Sequence, residues 1–334
     1  MRKLFILFVG LFVWASCSET KDLCEKEFTE SEKVEISIER YEDQILGAES
    51  KSDLSKLILK EPIIANYFLQ SGNYPNDSIM VNALYNRFSN PHIDTLKYEI
   101  DRVFENLEQL QNELNKAYSW LTYYYPETKL PKVKTVATGL ENGADLYVSD
   151  TLIVIGLDYY LGEDAKYRPI GFPEYILKKY SQEYIVPSIM LLNGISPKVN
   201  ASNMSDKTML ADMITYGKAY YFAKAMLPCT PDSVIIGYTK EEIEGSTANA
   251  PIIWAHFLDN ELLYSSEHFL KQKYLGERPK TYDIGEKCPG RIGTWLGWAI
   301  VSQYAQRKET PLRELMNISN ANMIFQESKF RPGK

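Results

Sequence analysis

Histidine is nearly missing from this 334-residue chain: His92, His256 and His268 are all there is, and no two lie within five residues of one another. A zinc hydrolase of the His-Glu-x-x-His type sets two imidazoles one helical turn apart, so neighbouring residues cannot assemble that ligand set here. Cysteine is equally sparse, with four residues and no Cys-x-x-Cys pair. There is no Gly-rich phosphate loop and no Gly-x-Ser-x-Gly elbow, which removes the sequence marks of common nucleotide and serine-hydrolase chemistry. Positive charge is in deficit: 37 Lys and Arg against 44 Asp and Glu leave −7, a balance that gives no net field for nucleic acid or anionic lipid. After residue 16, no segment stays apolar and uncharged over the roughly 20 residues that a bilayer-crossing helix needs.

What the chain does have begins at its start. Met1-Arg2-Lys3, an apolar run over residues 4–15 and then Ala15-Ser16-Cys17 are the three parts of a secretory signal. Small-small-Cys is the ending of a bacterial lipobox, with Trp14 standing where Leu or Val is usual. The expectation is that residues 1–16 are removed as a signal peptide and that Cys17 becomes the lipidated (palmitate-bearing) N-terminus. Acyl chains burying methylenes at about 0.8 kcal/mol each would hold it permanently. Loss of Arg2 and Lys3 takes the formal charge from −7 to about −9, so the anchor has to be the lipid. Residues 17–47, charged and poor in large apolar side chains, read as a tether with a first ordered element near 36–45; residues 48–334 read as one domain. Export permits a disulfide, and Cys229 with Cys288 is the pair expected, since both sit in turn-like, Pro-rich sequence.

Helices, a small sheet and more helices follow in order. Leu96, Ile100, Val103, Leu107, Leu110, Leu114, Ala117 and Leu121 recur at steps of four and three. That spacing predicts one long core helix from an N-cap at Asp94 to a stop at Pro126. Residues 132–138, 145–148 and 152–155 read as strands separated by turns, for which an antiparallel meander is expected. Further helices are predicted at 175–192, interrupted by Pro187, and at 208–226, 265–274, 291–306 and 312–316. The glycines of Gly290-Arg-Ile-Gly-Thr-Trp-Leu-Gly297 predict close helix packing, not membrane insertion. The fold class expected is α+β, a mostly helical single domain with a small antiparallel sheet.

The middle of the chain is its most distinctive part. Leu152-Ile-Val-Ile-Gly-Leu-Asp158-Tyr159-Tyr160-Leu-Gly162, with Tyr167 following, runs a buried strand into an aromatic loop. Together with the lipobox, the helix ending in Tyr124-Tyr125-Pro126, the Tyr184-Ile-Val-Pro187 stretch and Gly217-Lys218-Ala219, it resembles the gliding-motility lipoprotein GldB family over essentially the whole chain. The Gly-Leu-Asp-x-Tyr-Leu-Gly block is the most specific part. The resemblance implies a lipid-anchored, periplasm-facing part of the gliding apparatus, tied to type 9 secretion. Its partners would be other envelope proteins of motility and secretion, and no cofactor is implied. The layout is also similar to a zincin-like architecture. However, the helix near 180–192 has no histidine and only Glu183 as an acid, and Tyr216-Gly217 stands where Glu-Gly is usual. A degenerate relative of zinc peptidases that lacks the metal site is therefore expected, with a binding role.

Asp158, Tyr159, Tyr167 and Tyr216 are the candidate binding or structural pocket, with Arg168 beside it. Hydrogen bonds that shape the loop are the plainer account of a buried Asp158. Lys218 and Lys224 are expected to pair locally with Asp212. His256 reads as a satisfied core residue, His92 as a loop residue and His268 as a surface one. Two other functions stay open: a hydrolase in which Asp158 or Glu183 works with a tyrosine, and a structural spacer that tolerates pocket substitutions.

Overall fold

Four short strands divide the helices into two layers. In the computed structural model the described residues are Cys24, Lys26, 28–140 and 143–333; Cys17 and the signal segment lie outside them. Strands β1 (Ile38–Arg40), β2 (Lys132–Val136), β3 (Leu146–Val148) and β4 (Leu152–Gly156) stand in the order β1-β2-β4-β3. Both β1 and β4 run parallel to β2, with Val133 between Ile38 and Ile153, and only β3 is antiparallel, Tyr147 facing Val154. The antiparallel meander is therefore corrected to a mixed sheet with a parallel centre. Leu-Ile-Val-Ile in β4 is apolar at every position, and a strand apolar on both faces needs cover on both, which is the habit of parallel strands. Val133, Ile153 and Ile155 face the larger core, while Val136 and Val154 face a second core with Tyr41, Leu54, Ile58 and Leu84.

The second core is covered by α1 (Tyr41–Leu46), α2 (Lys51–Lys60) and α3 (Asp77–Phe88). Ser50 and Asn76 cap α2 and α3 by accepting the N–H groups of Asp53 and Ile79. Helix α2 ends at Lys60, ahead of Pro62, and a π turn at Ile64–Phe68 follows.

On the larger core, the single long helix expected from residue 94 is two helices, α4 (Pro91–Val103) and α5 (Glu108–Tyr124). Leu107 takes φ +53° between them, and the Asn106 side chain accepts the Glu108 N–H at 3.0 Å. Arg40 closes the end of α4 by donating to the Phe104 and Glu105 carbonyls, both at 3.1 Å. The apolar stripe runs on across the break because both helices bury it in one core. Periodicity thus reports the buried face and not the continuity of the axis. The cap of α4 is Asn90, with Pro91 in the first helical position, so exposed His92 is helical and not in a loop.

The C-terminal half adds α6 (Glu174–Leu177), α7 (Ile185–Ile195), α8 (Met209–Met226), α9 (Asp232–Ile236), α10 (Lys240–Ala248), α11 (Ala250–Asp259), α12 (His268–Leu275), α13 (Ile292–Lys308), α14 (Leu312–Asn317) and α15 (Ala321–Ser328). Pro187 does not interrupt α7; it lies in the first turn, where a missing N–H costs nothing. Helices α8 and α13 cross where Gly217 meets Gly297, the close approach the glycine spacing predicts. Helices α3, α9, α10, α11 and α15 are not predicted, although Thr239 and Glu242 form a capping box at the start of α10 that the sequence displays.

Cys24, not Cys288, is the disulfide partner of Cys229, at a sequence separation of 205 residues. Cys288 is a free, half-buried thiol whose pKa burial pushes up to about 11. Chain topology alone joins Cys24 to Cys229, and turn-like local sequence carries no trace of it. Among the described residues no helix is long and apolar enough to cross a membrane.

Candidate functional site

Where β4 ends, the chain makes one 3-10 turn, Leu157–Tyr159, and its middle residue is Asp158. The carboxylate is fully buried. Its Oδ2 accepts the N–H groups of Thr138 and Gly139 at 2.9 Å, that of Leu140 at 3.1 Å and the Thr138 hydroxyl at 2.8 Å. Gly139 and Leu140 have φ of +79° and +60°, which aims successive N–H groups at one point and makes an anion nest. Burial pushes the carboxyl pKa up, and the Thr138 and Leu140 donors pull against that. Oδ1 has no partner. Asp158 thus pins the segment leaving β2 to the segment leaving β4.

Tyr159 and Tyr160 extend this corner. The Tyr159 hydroxyl donates to the Gly143 carbonyl and the Tyr160 hydroxyl to the Asp145 carboxylate, each at 3.0 Å. The Tyr180 ring packs edge-on against both, at 5.6 and 5.4 Å, and Phe172 against Tyr180 at 5.7 Å. Tyr167 packs against the larger core, with the Lys166 ammonium 5.5 Å from its ring. Arg168 pairs with Glu174 at 3.1 Å and not with Asp158. Tyr216, on α8, belongs to a different neighbourhood: burial raises its phenol pKa, followed by Tyr220 and Asp212. Of the four pocket candidates the structure brings Asp158 and Tyr159 together; neither hydrogen bond nor ring contact joins Tyr167 or Tyr216 to them. Glu183 lies exposed in a separate 3-10 turn, Gln182–Tyr184, and Asp158 takes no hydrogen bond from a tyrosine.

A second polar group has almost no trace in the sequence. Arg291, in the residue before α13, donates to the Tyr220 hydroxyl at 2.9 Å and to the Ile236 carbonyl at 2.7 Å, and pairs with Glu277 at 2.8 Å. Glu277 also holds Lys179 at 2.8 Å. Burial and then the Arg291 charge pull the Lys179 amine below its usual range. The only sequence mark of this group is Arg291 itself, a charge set among closely spaced glycines.

Lys218, in the middle of α8, is buried although charged. It donates to the carbonyls of Ala201 at 2.5 Å, Ile318 at 2.8 Å and Met316 at 3.2 Å. The last two lie at the C-terminal end of α14, where carbonyls lack partners within the helix, and the Met316 carbonyl also accepts the Ala201 N–H at 2.9 Å. The pairing with Asp212 expected for Lys218 and Lys224 does not form: Asp212 pairs with Lys271 at 2.5 Å, and Lys224 with Asp232 at 3.0 Å. Burial pulls the Lys218 amine down to about 8. Lys218→Met, which keeps the stem and removes the donors, is expected to cost about 3 kcal/mol in urea denaturation at pH 7. The margin of the natural protein over this variant widens as pH rises from about 8 towards 10.5, because the unfolded amine still holds a proton that the folded one has released.

His256 bonds through Nε2 to the Tyr274 hydroxyl at 2.8 Å and is half-buried; His268 opens α12 on the surface. Among the described residues no three His, Cys, Asp or Glu side chains gather as a metal site. No solved structure matches the chain, so the kinship to zinc peptidases expected from the layout has no support. No curated protein matches it either. A family model described as "Gliding motility protein GldB" matches residues 23–332. With that match running from the disulfide-bonded N-terminal segment through α15, the chain belongs to the GldB family of gliding-motility lipoproteins.

Proposed function

We propose that this gliding-motility lipoprotein works by binding: it stabilises or assembles other envelope proteins of the motility and type 9 secretion machinery, anchored by a lipid on Cys17 and facing the periplasm. The observation that carries this reading is how the ionisable groups set into the core are used. Asp158 is spent on the backbone of residues 138–140, Lys218 on three carbonyls, and Arg291 on Tyr220, Ile236 and Glu277. Groups so committed hold a shape in place and leave that shape as what a partner reads. Cys24–Cys229 agrees with an oxidising compartment.

The test is crosslinking in intact cells followed by capture of the full-length lipoprotein from solubilised envelopes. Recovery of motility or secretion components above a capture from untagged cells is the expected result; a capture that recovers none sinks the proposal. Asp158→Asn protein that folds is expected to support gliding at the normal rate. Loss of gliding with folding and partner capture intact would instead favour a hydrolase with Asp158 as an acid or base.

A further inference from the structure

The segment just after the lipid-attachment position is fastened to the domain at two points. Cys24 is bonded to Cys229, just past the end of α8 at Met226. Close by, the Lys26 ammonium lies 3.3 Å from the ring centre of Tyr123, 5.0 Å from that of Phe28 and 5.1 Å from that of Trp120. The rings pack edge to face, Phe28 on Trp120 at 4.9 Å and Trp120 on Tyr123 at 5.6 Å. Ammonium over aromatic faces is an attractive contact in its own right. The disulfide and the ring cluster together give the chain one point of departure from the domain.

That point limits how the domain can sit on a membrane. Cys17 stands seven positions before Cys24, a span of at most about 25 Å when fully extended. A globular chain of this size measures about 50 Å across. With the clamp closed, a lipid on Cys17 cannot reach around the domain, so the face opposite Cys229 cannot rest on the bilayer. With the clamp open, a tie further along the chain is the Val34 N–H, which donates to the Ser119 hydroxyl at 3.1 Å. The reach then grows to about 60 Å, enough for any orientation.

The surface at the point of departure suits that position. Tyr123 is 51% exposed at the end of α5, Tyr124 is half-buried beside it, and Leu130 is exposed after the helix. Tyrosine, tryptophan and lysine side chains, apolar in body and polar at the tip, are those that settle at the headgroup level of a bilayer. We propose that the face formed by Cys24, Lys26, Phe28, Tyr123 and Cys229 lies against the bilayer surface, and that the Cys24–Cys229 bond holds the α2–α3 layer, across the sheet, away from it. This rests on Cys17 being the lipid-bearing residue.

The test uses the full-length lipidated protein in vesicles of phosphatidylethanolamine and phosphatidylglycerol. A photoreactive phenylalanine analogue is placed at Tyr123 or at Ile79, which is exposed on α3. Because adduct yield follows local concentration, lipid adducts at Tyr123 are expected to exceed those at Ile79 about tenfold. In protein carrying Cys229→Ser, Lys26→Ser and Phe28→Ser the two yields are expected to converge. Equal yields in the protein with the clamp intact, an excess at Ile79, or adducts at Tyr123 to a second protein molecule and none to lipid would each overturn the orientation. Vesicle flotation of the same sample separates the two ideas. Protein that floats without asymmetry defeats the clamp alone, whereas protein that does not float defeats the lipid anchor and this inference with it.

Discussion

Gly297→Ala is expected to destabilise the protein by about 4 kcal/mol, or to prevent folding altogether, through a single added methyl group. A β-carbon at Gly297 would land on the Met213 carbonyl, and one at Gly217 would lie 2.8 Å from Trp298 N and closer still to the Gly297 carbonyl. Both obstacles are backbone, which cannot rotate aside as a side chain can. Helices α8 and α13 would have to separate, and with them the core they share; α8 also packs on α7, where a β-carbon at Gly194 would already meet the Ala219 carbonyl at 2.9 Å. For about 300 residues an unfolding entropy near 0.6 kcal/mol per kelvin turns 4 kcal/mol into a drop of roughly 6 °C in midpoint. Gly245→Ala is the control: it lies within α10 with nothing inside 4 Å, so it is expected to raise stability by about 0.5–1 kcal/mol. Thermal and urea denaturation of both variants decide the matter. Gly297→Ala within 1 kcal/mol of the natural protein would show that the crossing is looser than these contacts require.

The same crossing separates what is readable in the sequence from what is not. The Gly290–Gly297 spacing states that a helix must approach another backbone, and it does so without naming the partner. Gly217, in a stretch that stands out only for its family likeness, is that partner. Helix α8 is legible at both ends because Thr208 caps it and Pro228 follows it. The break between α4 and α5 is not, since Phe104 and Leu107 are buried and extend the apolar stripe across it. Strand positions are visible as short apolar runs, but pairing depends on which faces are covered, and the second core comes from residues far away in the chain. The site follows the same rule. Asp158 and Tyr159 are neighbours in sequence and so can be placed together from it; Tyr220 and Arg291 meet only through tertiary packing, and Cys24 and Cys229 through a disulfide that spans most of the chain.

Asp158→Ala is expected to cost about 4 kcal/mol or more, because it orphans three buried N–H groups and the Thr138 hydroxyl at once. Asp158→Asn is expected to cost less, about 1–2 kcal/mol, since an amide oxygen can take the place of Oδ2 in the nest while the amide nitrogen inherits the unpartnered Oδ1 position. The two substitutions also differ in what pH does. Burial raises the Asp158 pKa above its usual 3.8, so the folded protein holds this proton over a range in which the unfolded chain has lost it. Stability contributed by the protonated carboxyl is full below the unfolded value and declines as pH rises through the folded one. The amide of the Asp158→Asn variant carries no such proton, and the margin of the natural protein over that variant is therefore expected to be widest near pH 4 and narrower at pH 7.5. Urea midpoints for the pair at the two pH values measure this directly. A margin that widens towards neutral pH would mean that the N–H groups of the nest outweigh burial and that Asp158 is held as a stabilised carboxylate. In that case the link between the ends of β2 and β4 is an ionic one, and Asp158→Asn should cost as much as the loss of a charge-assisted bond, about 3 kcal/mol.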